Sequence, residues 1–329
     1  MRERIRRKHS ESGSALIAVL CLLFTAGMLT SAVLMISRTA TFDVYSHVEL
    51  QRSAYINEGA SNRIQWLIAA DRYLFSTRDP GYTDYTEYTH DRYLADGVIH
   101  ELDYYGTKLR FTITDARSGL DLSGQDFSNQ LRNLVDPLDA DSEYADRIDE
   151  IIDLITDYQD SDDTLSLYGM EQEDYESENR APLPRNNAIL LREEFFYIKG
   201  FTELLPPDSD GRLSLIRLFG APEGNPDFFT ASPLIIQRFC NFDEEQVEEI
   251  VQARDIWFRE RTLLSDQLDP LVFGGLSQLS WQESGTYTIR ISADPKEKRP
   301  SRRLIFTFPA FAISGPQRNN VTFLEWLSF

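Results

Sequence analysis

The hydrophobic pattern of the chain begins with one long uncharged stretch. Residues 13–37 contain no Asp, Glu, Lys or Arg. A helix of about 20 apolar residues is long enough to cross the hydrocarbon core of a bilayer. The stretch therefore predicts a membrane-spanning helix. Its leader is basic, so the positive-inside rule places the leader in the cytoplasm and the chain after about residue 38 on the other side. The basic residues of the leader are Arg2, Arg4, Arg6, Arg7 and Lys8.

The helical pattern continues past the membrane-length stretch. No proline occurs between residue 14 and Pro80, and apolar residues recur at helical spacing up to Leu74. This pattern predicts a single helix of about 60 residues, roughly 90 Å long at 1.5 Å per residue. A second interpretation has two helices that meet at a bend near Gly59.

Alternating apolar and polar positions predict strands in two separate regions. Tyr105, Gly106 and Thr107 are predicted to form the turn between the first two strands. The predicted strands are residues 98–104, 108–114, 285–292, 302–308 and 321–326.

Between these two β regions the apolar residues recur at helical spacing. The predicted helical segments are residues 141–158, 187–205 and 234–239, a short run over 208–219, and a helix that Asp243 caps. Because strands bracket this block, we interpret it as an insertion rather than as a second domain in series. The predicted fold class is α/β (α+β), a domain interrupted by a large α-helical insertion. Residues 75–92 show no clear period.

This interpretation divides the chain into consecutive parts. They are a basic leader at 1–13, the membrane part of the helix at 14–37, its continuation at 38–78, an α/β domain formed by 79–124 and 281–329, and the inserted helical domain at 125–280.

Charge narrows the range of functions. The formal net charge is −20, and residues 139–178 contain sixteen acidic residues against one base, Arg147. Such acidity argues against nucleic-acid binding, which needs a basic surface. The two cysteines, Cys21 and Cys240, lie far apart in the sequence and predict no disulfide framework.

One acidic loop has the spacing of a calcium site. Counted from Asp160, the oxygen-bearing residues Asp162, Thr164 and Glu171 fall at positions 3, 5 and 12 of an EF-hand loop. Leu165 stands where that loop requires glycine, so the segment is not an EF-hand. Two interpretations stay open: a calcium-binding loop and a solvated acidic loop.

The sequence offers no catalytic motif in a context that fits an enzyme. Residues 160–164 match the D-x-D-x-T pattern of aspartate-based phosphatases, but the residues before them have helical spacing rather than that of a strand. The four histidines, His9, His47, His90 and His100, form no cluster for zinc. The sequence contains no G-x-S-x-G, P-loop or C-x-x-C motif. We therefore predict a non-enzymatic protein.

Several segments together resemble the K-type minor pseudopilins of type II secretion systems (general secretion pathway protein K). Gly13 and Ser14 resemble the junction at which prepilin-like leaders are cut, just before the apolar helix. Ala18 occupies the fifth position after that junction, where most such proteins carry glutamate and the K-type characteristically does not. Further similarity lies at residues 115–123, 157–163, 169–175, 184–201 and 229–231.

The resemblance implies a pilin-like fold with a long N-terminal helix and a small antiparallel sheet, into which the large helical domain is inserted, and it implies calcium in the acidic loop. It implies cleavage by prepilin peptidase between Gly13 and Ser14, and a single-pass inner-membrane protein with most of its chain in the periplasm. The implied partners are the I- and J-type minor pseudopilins, with which the K-type protein caps the pseudopilus. The implied calcium ligands are Asp160, Asp162, Asp163, Glu171 and Asp174.

Ala18 has a physical meaning in this context. In a pilus-like bundle the usual glutamate pairs with the N-terminal amine of a neighbouring subunit, and an unpaired carboxylate in lipid is costly. A subunit without a neighbour above it has no use for that acid, so Ala18 predicts a position at the tip of the fibre. The alternative function is a signal-anchored, calcium-stabilised periplasmic binding protein without a role in a pilus.

Overall fold

A long N-terminal helix dominates the fold. The computed structural model describes residues 8–75, 92–124, 126–135, 143–260, 262–296, 300–310 and 323–329. Helix α1 runs without interruption over Lys8–Phe75, 68 residues, so the prediction of one continuous helix is confirmed and a division at Gly59 is wrong. A Cβ on Gly59 would lie 2.5 Å from the Tyr104 hydroxyl oxygen. The lack of a side chain at Gly59 therefore allows Tyr104 to pack closely against α1.

The first part of α1 is apolar and exposed throughout. Every residue from 14 to 36 is exposed, and the most apolar window of the helix has a mean hydropathy of 2.3. Within the described residues, α1 is the one helix long and apolar enough to cross a membrane.

Five antiparallel strands form one sheet in the order β1-β2-β3-β4-β5. The hairpin turn uses left-handed backbone at Tyr105 (φ 50°) and Gly106 (φ 72°), as tight two-residue turns require. All five strands were predicted, with bounds that differ by a few residues; Val321 and Thr322, in the last prediction, lie outside the described residues. The strands are β1 Ile99–Tyr104, β2 Thr107–Asp115, β3 Thr286–Ala293, β4 Leu304–Pro309 and β5 Glu325–Ser328.

The sheet joins two distant parts of the sequence and packs on α1. Asp115 at the end of β2 pairs with Tyr287 in β3, so residues 116–285 leave the sheet and return beside the same strand. The core between sheet and helix contains Ala60, Ile64 and Ile68 of α1. Its other fully enclosed members include Phe111, Ile113, Ile289, Phe306 and Phe308.

Residues 116–285 build a second core from short helices. Their inward side chains, among them Ile148, Ile155, Phe195, Phe229 and Trp257, form a hydrophobic cluster of their own. The α-helices are α2 Phe127–Arg132, α3 Glu143–Gln159, α4 Gln172–Ser177, α5 Phe201–Leu204, α6 Pro233–Cys240, α7 Glu244–Glu260 and α8 Pro270–Gly275. The domain limits inferred from the sequence stay predictions.

Three of the predicted helical segments match the structure, and two do not. α3 and α6 lie where their periodicity placed them, and Asp243 caps α7 by accepting a hydrogen bond from the backbone N–H of Gln246 at 2.8 Å. Residues 187–205 contain only the 3-10 helix Arg192–Tyr197 and α5, because Gly200 takes a left-handed conformation (φ 74°) that interrupts a helix. Residues 208–219 contain no helix.

Buried ion pairs attach α1 and the helical region to the sheet. Asp71 near the end of α1 is 4% exposed and accepts hydrogen bonds from Arg92 at 2.8 and 3.2 Å. On β5, Glu325 contacts Arg192 at 3.2 Å and also Arg212, both in the helical region. These contacts hold the helical region, which contains the acidic loop, against the sheet.

Candidate functional site

Three carboxylates converge beside the end of α3. Asp157, Asp160 and Glu171 each offer an oxygen, and these oxygens lie within 4.8 Å of one another. Asp157 and Asp160 come together because they are one helical turn apart, and the backbone N–H of Asp160 still bonds to the carbonyl of Thr156 at 2.9 Å. Glu171 comes from the far end of the loop, immediately before α4.

Asp157 is the most enclosed of the three. Its side chain is fully buried and accepts hydrogen bonds from the backbone N–H of Ser166, at 3.1 Å, and from the Ser166 hydroxyl. Gly169 closes over the same carboxylate, and a Cβ there would lie 1.7 Å from Oδ2 of Asp157. The loop therefore wraps closely around this one acid.

Glu171 has buried oxygens without partners among the described residues. Its side chain is 6% exposed, and neither Oε1 nor Oε2 has a hydrogen-bond donor; Oδ1 of Asp160 is also buried without one. Unsatisfied buried carboxylate oxygens are costly unless a cation or a donor compensates them. The site thus holds several acceptor atoms that the protein itself does not satisfy.

The electrostatic environment of the site is acidic. Burial raises the pKa of Glu171, and the charges of Asp157, Asp160, Asp163 and Asp162 raise it further. Burial likewise raises the pKa of Asp160, with Asp162 and Asp157 adding to the effect. Both shifts mean that the ionised carboxylates are disfavoured, first by burial and then by mutual repulsion, and a bound cation relieves both effects.

The five predicted ligands occupy different positions. Asp160 and Glu171 belong to the converging group, whereas Asp162, Asp163 and Asp174 lie outside it. Asp162 accepts a hydrogen bond from the backbone N–H of Thr164 at 2.8 Å, and Asp174 accepts one from the backbone N–H of Glu171 at 3.1 Å, at the start of α4. Asp157 is the residue that the predicted set omits. Its position one turn before Asp160 is the signal that points to it.

These residues fit a hard divalent cation. Calcium prefers six to eight oxygen ligands, many of them carboxylates. Asp157, Asp160 and Glu171 supply carboxylate oxygens, three of which are buried and unsatisfied among the described residues. The donor set contains no sulfur or imidazole, so it is unsuited to a structural zinc ion.

We expect Gly169→Ala to disrupt this site. The added methyl group would overlap the buried Asp157 carboxylate, and forced overpacking costs about 1–3 kcal/mol. Thermal unfolding of the full chain should show a lower midpoint, together with weaker calcium binding. Gly274→Ala is the matched control, since nothing lies within 4 Å of a Cβ there; equal behaviour of the two variants would contradict the proposed packing.

The three N-terminal residues singled out by sequence all lie within α1. The helix begins at Lys8, so Gly13, Ser14 and Ala18 are helical, and the predicted cleavage junction falls inside the helix. Ser14 and Ala18 are exposed. Any cleavage there would leave an apolar helix at the new N-terminus.

Comparison with solved structures identifies the fold. Over 89% of its length this chain superposes on 99% of a chain in the crystal structure of the GspK–GspI–GspJ complex from the type 2 secretion system of enterotoxigenic Escherichia coli, with a TM-score of 0.50. The chain has the fold of that secretion-system protein. The identity is 14%, so the likeness concerns the fold. The pilin-like fold class predicted from sequence is confirmed. No protein-family model and no curated protein matches the sequence.

Proposed function

We propose that this chain is a K-type minor pseudopilin of a type II secretion system. It is a structural rather than a catalytic protein. Prepilin peptidase cleaves it between Gly13 and Ser14, residues 14–37 anchor it in the inner membrane, and the remainder lies in the periplasm. There it joins the I- and J-type minor pseudopilins at the tip of the pseudopilus, as Ala18 suggests. The likeness to a chain of the GspK–GspI–GspJ complex supports this assignment.

One observation carries the proposal beyond the fold. α1 extends well past the predicted membrane segment and still exposes large apolar side chains on one face of the helix: Val44 (64%), Val48 (56%) and Tyr55 (65%). An exposed apolar stripe outside the membrane indicates a surface that another protein covers. In a helical fibre that surface is the one that packs against the helices of neighbouring subunits.

Co-purification tests this assignment. The full chain, expressed with I- and J-type minor pseudopilins, should purify with both as a stable complex. Replacing Val48 and Tyr55 by glutamate should abolish the complex, because unpaired charges would be buried between helices. Leu271→Glu, at a position 86% exposed on α8, is the control and should leave the complex intact. If the unaltered chain purified alone, or if the double variant still formed the complex, the proposed assembly would be wrong.

The acidic group fits a calcium ion that stabilises the helical region. Asp157, Asp160 and Glu171 would hold the ion, and the predicted residues Asp162, Asp163 and Asp174 would contribute to the negative field around it. The unsatisfied oxygens of Glu171 and Asp160 support this proposal. Its role is structural, because the ion would neutralise mutually repelling carboxylates and hold the loop to α3.

A further inference from the structure

A surface groove adjoins the acidic group through Ser166 and Gly169, which line the groove and contact Asp157. It has a volume of about 450 Å³, and its apolar lining comes from α3 and the loop. Three of the lining side chains are largely exposed, namely Leu165 (55%), Leu167 (83%) and Tyr168 (51%). Large apolar side chains grouped at a surface groove indicate a site that binds another molecule.

The walls of this groove depend on the acidic group. Asp157 accepts hydrogen bonds from the backbone N–H and the hydroxyl of Ser166, and Gly169 lies against the same carboxylate. Asp153, one turn earlier on α3, accepts a hydrogen bond from the backbone N–H of Tyr168 at 3.1 Å. The exposed apolar residues therefore lie on a segment that is tied to α3 next to the three converging carboxylates.

The charge around the groove selects its occupant. Among the described residues that line it are the acids Glu150, Asp174 and Glu178 and a single base, Lys199, which is paired with Glu178 at 2.9 Å. An anionic membrane surface would be repelled by this rim. A polypeptide with large apolar side chains flanked by lysine or arginine would bury its apolar groups in the groove and place its charges against the acids.

We propose that this groove binds a basic, apolar segment of a partner protein, and that calcium at Asp157, Asp160 and Glu171 orders the loop that forms it. The inference rests on the calcium site proposed above. Binding of the ion and of the segment are then coupled, and by linkage each strengthens the other. The ion neutralises the inner carboxylates, while Glu150 and Asp174 on the rim remain to pair with the basic residues of the partner.

A peptide-binding experiment tests the proposal. The full chain is placed in phosphatidylcholine nanodiscs, and binding of a labelled, end-blocked peptide Lys-Lys-Leu-Phe-Lys-Lys is followed by fluorescence anisotropy, with and without a calcium chelator. Empty nanodiscs and the charge-reversed peptide Glu-Glu-Leu-Phe-Glu-Glu are the background controls. Leu167→Ser removes the most exposed apolar side chain of the groove, and Leu271→Ser is the matched change on α8. Calcium binding is measured separately on each protein by calorimetry.

In calcium, we expect the basic peptide to bind the unaltered chain. Its affinity for Leu167→Ser should be about tenfold lower, as for the loss of one apolar anchor. Its affinity for Leu271→Ser should be unchanged. Chelation should weaken binding to the unaltered chain. If calcium binds but the peptide does not, or binds both serine variants equally, the docking site is wrong and the calcium site stands. If calcium does not bind, the metal proposal fails; peptide binding that ignores the chelator overturns the coupling. Equal binding of the acidic peptide contradicts the assigned charge of the partner.

Discussion

Replacing Asp71 by asparagine is expected to lower the free energy of unfolding by about 3–5 kcal/mol, the usual cost of removing one partner from a buried ion pair. Asp71 is 4% exposed and Arg92 is 6% exposed. The same carboxylate also contacts Arg72 and accepts a hydrogen bond from the backbone N–H of Tyr93 at 3.3 Å. The neutral variant would deprive the buried Arg92 guanidinium of this counter-charge, whereas the partly buried Arg72 would keep its ion pair with Glu283.

The position of Asp71 makes the effect global. Arg72 reaches the sheet through Tyr287, whose hydroxyl accepts a hydrogen bond from its Nε at 3.0 Å. The pairing of Asp71 with Arg92 and Arg72 therefore holds the end of α1, the chain leading into β1, and β3 together. Loss of this junction should loosen the packing of α1 on the sheet.

Urea unfolding of the full chain in detergent micelles, followed by tryptophan fluorescence, measures the change. Asp43→Asn is the matched control, because it makes the same chemical change on the exposed surface of the same helix. Exposed substitutions of this kind usually shift stability by less than about 0.5 kcal/mol. If Asp71→Asn unfolded at the same urea concentration as Asp43→Asn, the proposed role of the junction would be contradicted.

The second large effect concerns calcium. We expect saturating calcium to raise the thermal midpoint of the full chain, since a ligand at 100 times its dissociation constant stabilises the folded state by about 2.7 kcal/mol. Glu171→Gln should remove most of this gain. In chelator the same variant should be at least as stable as the unaltered chain, because it removes a buried negative charge that Asp157 and Asp160 repel.

The two conditions distinguish a metal ligand from an ordinary structural acid, because Glu171→Gln should lower the thermal midpoint in calcium but not in chelator. Glu173→Gln, at an exposed position two residues away, is the control and should keep the full response to calcium. A midpoint of the unaltered chain that did not move between calcium and chelator would refute the metal site. A variant Glu171→Gln that lost stability equally in both conditions would assign Glu171 a purely structural role.

The raised pKa values of Glu171 and Asp160 predict the pH dependence. For an acid whose pKa is higher in the folded state, the folded chain holds the proton over a range in which the unfolded chain has released it. In chelator, the stability contributed by these two groups should therefore decrease as the pH rises from the ordinary carboxyl range through the raised values. In calcium, protons compete with the ion. The rise in thermal midpoint that calcium causes should therefore become smaller as the pH falls through the same range.

Local pattern was sufficient to predict the sheet and the long helix. In β2 the apolar residues Leu109, Phe111 and Ile113 alternate with polar ones, and all three are buried against α1. The pairing of β2 with β3 is not visible in either strand alone, because register across residues 116–285 depends on packing. The placement of strands on both sides of a helical block predicts that they share one domain, but it does not predict which strands pair.

The main error is the helix predicted over residues 187–205, and apolar residues on an exposed surface explain it. Leu190 and Leu191 belong to the predicted helical segment 187–205, but they are 61% and 62% exposed. Their backbone N–H groups donate to the side chain of Glu194, at 2.9 and 3.0 Å, and this local arrangement replaces helical hydrogen bonds. Hydrophobic periodicity cannot distinguish a buried apolar residue from one held at the surface by such contacts.

The candidate metal site was predictable as a region but not residue by residue. Sequence spacing pointed to Asp160, Asp162 and Glu171, and the family resemblance added Asp163 and Asp174. Asp160 and Glu171 converge, whereas the carboxylates of Asp162 and Asp174 accept backbone hydrogen bonds of the loop. An acid in a dense acidic segment can bind an ion or cap a turn. The choice depends on loop geometry, here on the contact of Gly169 with Asp157.

The N-terminus of the mature chain tests the central claim most directly. The full chain is expressed with and without prepilin peptidase, and its N-terminus is determined by intact mass and sequencing. We predict cleavage between Gly13 and Ser14 only when the peptidase is present, and no cleavage of a Gly13→Leu variant. A chain that keeps residues 1–13 in the presence of an active peptidase would contradict the assignment as a pseudopilin and favour a plain membrane anchor.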